Sequence, residues 1–206
     1  VGVKKGDRVI GLDELDTQQF PLKRYTSDAE YYCGSGAADD TFAVVFKPLA
    51  RCYIHIAEQQ WNDEGSVLAY LWDYSETAEA DHPTGRGPEG RGIYANGPMA
   101  HPAQLGPFAV TATGSGSFET MFDLGADSIE WGDSMFVVGF VKNDAVPHPL
   151  ADDVGARGFN YTWLGGPWND GADAPWGWYH EVIELMMRVW VSYPWGAPPI
   201  LGSINT

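Results

Sequence analysis

The chain is predicted to be all-β, a two-sheet antiparallel β-sandwich of jelly-roll-like form with one long loop insertion. Three observations carry this. Apolar and polar residues alternate with period two, in runs bounded by Gly, Pro and Asp, from residue 42 toward the C-terminus. Helical periodicity is nearly absent. The 206 residues, 44% hydrophobic and 14% aromatic, suffice for one large core.

Eight strands follow from the alternation, over residues 42–47, 52–58, 66–73, 108–113, 117–123, 134–141, 158–163 and 182–193. In the last run Ile183, Leu185, Met187, Val189, Val191 and Tyr193 alternate with Glu184, Arg188 and Ser192, which places one face in the core. The run from Met135 to Val141 is apolar on both faces. It suits a central strand covered on each side, or one whose outer face meets a partner. Residues 74–107, rich in Gly, Pro, Ala and His, break the rhythm and read as an insertion, because a structureless loop of that length usually has a function. Residues 1–25 form an N-terminal arm able to exchange with a neighbour, and residues 26–206 form the sandwich domain.

Charge narrows the partners. Twelve Lys and Arg against 28 Asp and Glu give −16, which repels nucleic acid and anionic lipid. The arm holds five basic residues beside four acidic ones, leaving +1 there and −17 on the remainder. No stretch approaches the roughly 20 apolar residues that span a bilayer, and a chain beginning at Val1 fits a mature product after signal-peptide removal. The only cysteines, Cys33 and Cys52, flank one expected strand; they read either as a disulfide, which implies an oxidising compartment, or as two buried thiols.

The segments Asp39-Asp40-Thr41-Phe42-Ala43-Val44-Val45-Phe46-Lys47-Pro48, Gly65-Ser66-Val67-Leu68-Ala69-Tyr70-Leu71-Trp72-Asp73 and Gly132-Asp133-Ser134-Met135-Phe136-Val137-Val138-Gly139-Phe140, with Leu185-Met186-Met187-Arg188-Val189, span residues 39–193. In these the chain resembles β-sandwich domains of large secreted prokaryotic proteins, found beside subtilisin-like proteases or ahead of cell-surface sorting modules. The resemblance implies a sandwich fold and a secreted or cell-surface location. It carries over no catalytic residue, because each segment is a packing pattern. The 74–107 insertion and the basic arm depart from the family's shorter form.

Motifs for chemistry fail on spacing. His180-Glu181-Val182-Ile183-Glu184 begins like a helical zinc-protease motif, but Glu184 stands where the second His belongs, on an expected strand. Gly132-Asp133-Ser134 resembles a lipase nucleophile block, yet His148 lacks the matching spacing, and a turn closed by Asp and Ser explains it better. His55, His82 and His101 are dispersed, with His55 pointing outward on a strand. No cofactor and no enzyme activity are expected. Acidic turns could coordinate a structural Ca²⁺, with Asp152, Asp153, Asp170 and Asp173 as candidates, although no spacing matches a calcium loop. Asn160-Tyr161-Thr162 is a glycosylation sequon.

Two binding roles stay open. Trp168, Trp176 and Trp178 fall in a Gly-, Pro-, Asn- and Asp-rich stretch expected to be a loop, where strand packing does not demand them, and Tyr179 stands next to them. They could stack on carbohydrate rings, anchor a protein contact, or seal the sandwich end. Val1, Val3, Lys4, Lys5 and Arg8 could add a basic strand to the sheet edge of an acidic neighbour. The favoured expectation is a non-catalytic extracellular subunit that assembles with itself into a fibre, tube or surface layer; the alternative is a carbohydrate-binding module.

Overall fold

A computed structural model of the chain describes residues 3–5, 8–10, 18–25, 28–29, 31–32, 40–74, 85–86, 92–94, 102–152, 160–164, 177–180 and 184–196. Every element is a β-strand. Eight strands make the sandwich: β3 (Gln19–Lys23), β5 (Thr41–Phe46), β6 (Cys52–Gln60), β7 (Glu64–Asp73), β10 (Leu105–Thr113), β11 (Phe118–Asp123), β13 (Phe136–Lys142) and β18 (Met187–Ser192). Their order is β10-β7-β13-β5 in the first sheet and β3-β18-β6-β11 in the second, all antiparallel. Numbered one to eight along the chain these are 5-4-7-2 facing 1-8-3-6, the double Greek key of a jelly roll.

The core lies between these sheets because alternation aims one side chain in two inward. Phe42, Val44, Phe46, Phe136, Val138 and Phe140 from the first sheet meet Cys52, Ile54, Ala57, Met187, Val189 and Val191 from the second. Phe42 stacks on Phe140 at 5.3 Å and Phe46 on Phe136 at 5.6 Å, each an aromatic pair directly opposed across β5 and β13. The apolar run on both faces of β13 has a physical reason: β13 is mid-sheet, and its outer face is covered too. Ala43, Val45, Trp72 and Val137 form a second buried cluster there, packed by Tyr70, Tyr74, Ala103 and Met135.

Beyond β5 the first sheet continues through β15 (Asn160–Leu164), β16 (Gly177–His180), β9 (Gly92–Tyr94) and β8 (Gly85–Arg86). Thus the 74–107 segment, expected to be structureless, contributes two short strands and the first residues of β10. Its β9 is hydrogen-bonded to β16 from the later connection, so the two long excursions meet in one sheet. Three smaller features were not legible in the alternation. β12 (Ile129–Trp131) pairs with β6, a small sheet joins β17 (Glu184–Leu185), β14 (Leu150–Asp152) and β4 (Tyr31–Tyr32), and β1 (Val3–Lys5) pairs with β2 (Arg8–Ile10).

Several expectations need revision. The arm drawn as residues 1–25 includes β3, an integral strand of the second sheet. The closing run over 182–193 is two strands, β17 and β18, divided at Met186, whose N–H donates to Leu150 O at 2.9 Å while its own carbonyl accepts Gln60 N at 3.2 Å. The chain changes sheets at that residue. Glu184 and Ser192, expected to face outward, are buried. Glu184 lies directly opposite buried Asp152 in the small sheet, which the alternation of the long run could not reveal. The expected Cys33–Cys52 disulfide is not found. Cys52 is a free thiol at the start of β6, and burial pushes its pKa up to about 12; Cys33 lies outside the described residues. Cys52 fills core volume as a small apolar group.

Candidate functional site: the two ends of the sandwich

Strand edges are the first place to look for contacts, because unpaired N–H and C=O groups there accept a neighbour's strand. Among the described residues the outer strands of the two sandwich sheets, β3, β11, β10 and β8, are blunted. Strand β3 has Pro21 in its middle and an exposed Lys23, and β10 has Pro107 beside a register shift between Leu105 and Phe108. Strand β11 is irregular between Thr120 and Phe122, and β8 has only two residues. Proline removes a ladder donor and a bulge twists the edge away.

The outer face of the second sheet carries a closed network rather than an open site. Lys23, Arg188, Glu58 and Thr120 stand in one cross-strand row, with Pro21, Trp190, Ile56 and Asp123 in the next. Arg188 Nε donates to Glu58 Oε2 at 2.6 Å, and Trp190 Nε1 donates to the same oxygen at 2.5 Å. The guanidinium lies 3.8 Å from the Phe118 ring centre, and Tyr25 stacks on Phe118 at 5.7 Å. Burial raises the Tyr25 pKa, and the charge and hydrogen bond of Arg188 oppose it. These partners satisfy one another, so the cluster ties β3, β18, β6 and β11 together.

Exposed apolar groups sit elsewhere. Among the described residues the large exposed hydrophobics are Leu49 (50%), Trp195 (46%) and Val146 (37%). Leu49 lies in the turn between β5 and β6, and Trp195 follows β18, so both stand at the Cys52 end of the sandwich. There Trp195 stacks on Tyr193 at 5.8 Å, and Phe20 packs on Tyr193 at 6.2 Å. Gly196 N donates to Tyr193 O at 2.8 Å, with Gly196 in the left-handed region at φ +76°, which closes the turn carrying the indole. Burial raises the pKa of Tyr193, whose side chain lies beside the Leu49 backbone. Exposed Lys47 and Arg51 border this end, Arg51 pairing with Glu130 at 3.2 Å.

Val146 stands at the opposite end, in the turn after β13. That turn is held from several sides. Lys142 Nζ donates to Ala145 O, Asn143 N donates to Ser66 O at 3.1 Å, and Pro147 packs so tightly on Gly65 that a Cβ there would come within 2.5 Å of the proline ring. His148 N donates to Asp63 Oδ1 at 2.7 Å, and its ring Nδ1 lies 2.8 Å from Asp63 Oδ2. Asn62 N donates back to His148 O at 2.9 Å. Partial burial raises the Asp63 pKa, but the His148 and Asn62 hydrogen bonds outweigh it and hold the carboxyl below its usual range. A depressed folded-state pKa contributes stability above the unfolded value near pH 4 that is lost as pH falls through the folded value. Asp63→Ala is therefore expected to lower unfolding free energy by about 1–2 kcal/mol at pH 7. In urea titrations the deficit should shrink toward pH 3.

Other acidic turns act similarly. Glu119 accepts Thr113 N at 2.7 Å and Thr113 Oγ1 at 3.0 Å, and Asp123 accepts Gly125 N at 2.8 Å. These carboxylates close turns through backbone donors.

The remaining sequence candidates fall as follows. Val3, Lys4 and Lys5 are in β1 and Arg8 in β2, paired with each other within the chain; Val1 lies outside the described residues. Trp178, expected in a loop, and Tyr179 are in strand β16, opposite Trp163 and Thr162 of β15 and Tyr94 and Ile93 of β9. Trp168 and Trp176 lie outside the described residues. Asn160 opens β15, opposite Val44. Asp152 is buried in β14, whereas Asp153, Asp170 and Asp173 lie outside the described residues. No group of three or more His, Cys, Asp or Glu that could hold a metal occurs among the described residues. His55, half-buried, shares a 2.8 Å hydrogen bond between Nε2 and Ser192 Oγ; burial lowers its pKa and the Asp123 charge opposes this. Among the described residues no helix is long and apolar enough to cross a membrane. Sequence reasoning missed Leu49 and Val146, whose signal was slight: a lone apolar residue next to proline in each turn, Pro48-Leu49 and Val146-Pro147. Comparisons of the chain with protein-family models, curated proteins and solved structures find no match.

Proposed function

We propose that this protein is a non-catalytic structural or adhesive subunit, secreted or displayed at a cell surface, that assembles with copies of itself. One observation carries the reading: among the described residues the large exposed apolar side chains, Leu49, Trp195 and Val146, sit at the two opposite ends of a jelly roll, on turns held by hydrogen bonds and ring contacts. Contacts at opposite ends generate open-ended arrays. The blunted edges favour end contacts over strand addition as the joining mode. The motifs that might have suggested chemistry have structural employment, His148 with Asp63 and the turn carboxylates with backbone N–H groups.

Sedimentation velocity across a concentration series tests this. The wild type is expected to grow beyond its 22.5 kDa monomer as concentration rises, while Trp195→Glu stays monomeric with unchanged circular dichroism. A wild type that remains monomeric at every concentration refutes the proposal.

A further inference from the structure

His55 is the residue of β6 that all three neighbouring ladders pass over. Trp190 stands opposite Ile56 and Val191 opposite Ile54, so in the β18 ladder His55 is the extra residue of a β-bulge. On the other side of β6 the β11 ladder ends where Asp123 meets Ile56, and the β12 ladder begins where Ile129 meets Ile54. His55 therefore sits where β6 exchanges one neighbour for another. Two contacts hold it: Leu124 N donates to His55 O at 2.9 Å, and ring Nε2 lies 2.8 Å from Ser192 Oγ. The other ring nitrogen, Nδ1, is buried without a hydrogen-bond partner among the described residues. We infer that this bulge is an acid-sensitive latch: the neutral imidazole ties β6 to the end of β18 through Ser192, and protonation of the ring loosens the junction.

The chemistry of the ring sets the direction. A neutral imidazole carries one N–H, which on Nε2 donates to the Ser192 hydroxyl and leaves a lone pair on Nδ1. A proton taken from solvent puts a second N–H on Nδ1, for which no acceptor occurs among the described residues, and places a charge on a half-buried group. Both changes cost the folded state free energy.

The charged and titratable groups on this face are Asp123 of β11, Glu130 of β12, Arg188 of β18, Lys23 of β3, and Tyr53 and Glu58 of β6 itself. Glu130 pairs with Arg51 at 3.2 Å and Glu58 with Arg188 at 2.6 Å. Asp123 is the group whose charge favours the imidazolium, and it is exposed and already accepts Gly125 N at 2.8 Å. Burial outweighs it and holds the His55 pKa below its usual value near 6.5. With the folded pKa below the unfolded one, the stability is complete above about pH 6.5 and is lost as pH falls through the folded value. The strand affected is β18 at its C-terminal end, where Ser192 leads into Tyr193 and its stack on Trp195. The latch works within one subunit and does not depend on self-assembly.

Urea titrations of the wild type and of His55→Gln, each at about pH 7.5 and about pH 5, test the latch. Glutamine keeps a hydrogen-bonding side chain without a titrating ring, so the other ionisable groups contribute alike to both proteins and cancel in the comparison. The expected result is a wild-type midpoint that falls between the two pH values by more than the midpoint of the variant. Equal falls overturn the inference, because His55 then binds its proton equally well folded and unfolded. A larger fall in the variant overturns it too, since Asp123 then captures the imidazolium and stabilises the fold in acid. If His55→Gln does not fold, proton NMR titration of the wild-type His55 ring decides: a pKa below about 6.5 is expected, and a value at or above it overturns the latch.

Discussion

Gly139→Ala is expected to cost about 3 kcal/mol or more, and Gly139→Val to leave no folded protein at 25 °C. Gly139 is in the middle of β13, between β5 and β7, directly opposite Ala43 and Tyr70. A Cβ there would fall on the Phe42 carbonyl oxygen and come within 3.0 Å of the Ala43 Cα. These obstacles are backbone atoms of a central strand, so no rotamer change relieves them. Relief requires displacing β5, and with it Phe42, Val44 and Phe46 in the core. Overpacking usually costs about 1–3 kcal/mol where side chains can yield, and more where they cannot. Gly132→Ala is the control: the nearest atom to its Cβ is 4.0 Å away, and its urea midpoint is expected to match wild type within about 0.5 kcal/mol.

Trp61→Ala is expected to lower unfolding free energy by about 3–5 kcal/mol. The side chain is fully buried at the end of the core, with its ring edge-on to Phe140 at 4.6 Å, and its backbone bridges to Pro149. Alanine leaves a cavity under the turn that presents Val146, so stability and the geometry of that end fall together. Trp61→Phe separates volume from hydrogen bonding. The buried Nε1–H has no hydrogen-bond partner among the described residues, so phenylalanine removes an unsatisfied donor while keeping an aromatic ring against Phe140. Its cost is expected to be under about 1.5 kcal/mol, because removing an unpaired buried donor offsets part of the lost volume. Equal losses for the two variants in urea titration would show that packing around Phe140 is not what Trp61 supplies.

Seven of the eight sandwich strands are legible in the sequence, most because one core face leaves period-two alternation as its imprint; the eighth expected run, over 158–163, is β15, beyond the eight. The continuous apolar run of β13 was legible for the complementary reason: both of its faces are covered. What alternation could not convey is what pairs without a clean core face. In β3, Pro21 and Lys23 disguise a strand whose Phe20 and Leu22 are only partly buried. β14 and β17 are two or three residues long, too short for a period, and this is why the sequence does not reveal that Glu184 and Asp152 are buried opposite each other. Trp178 reads as a loop residue because Gly and Pro surround it; the strand that it and Tyr179 occupy exists through pairing with β15 and β9, distant in sequence. The cysteine spacing was compatible with a disulfide, but Cys52 points into the core, where a thiol packs as an apolar group. For the ends, sequence drew attention to the basic arm and the tryptophans, whereas the exposed apolar groups are single residues beside prolines, invisible until the fold places them at opposite poles.

Electron microscopy of the purified wild-type chain at high concentration tests the central claim most directly. Self-assembly through the two ends predicts linear particles one subunit wide, with an axial repeat on the order of 35–45 Å set by the strand length. A field of discrete globular monomers or closed dimers, with no elongated particles at any concentration, would contradict it.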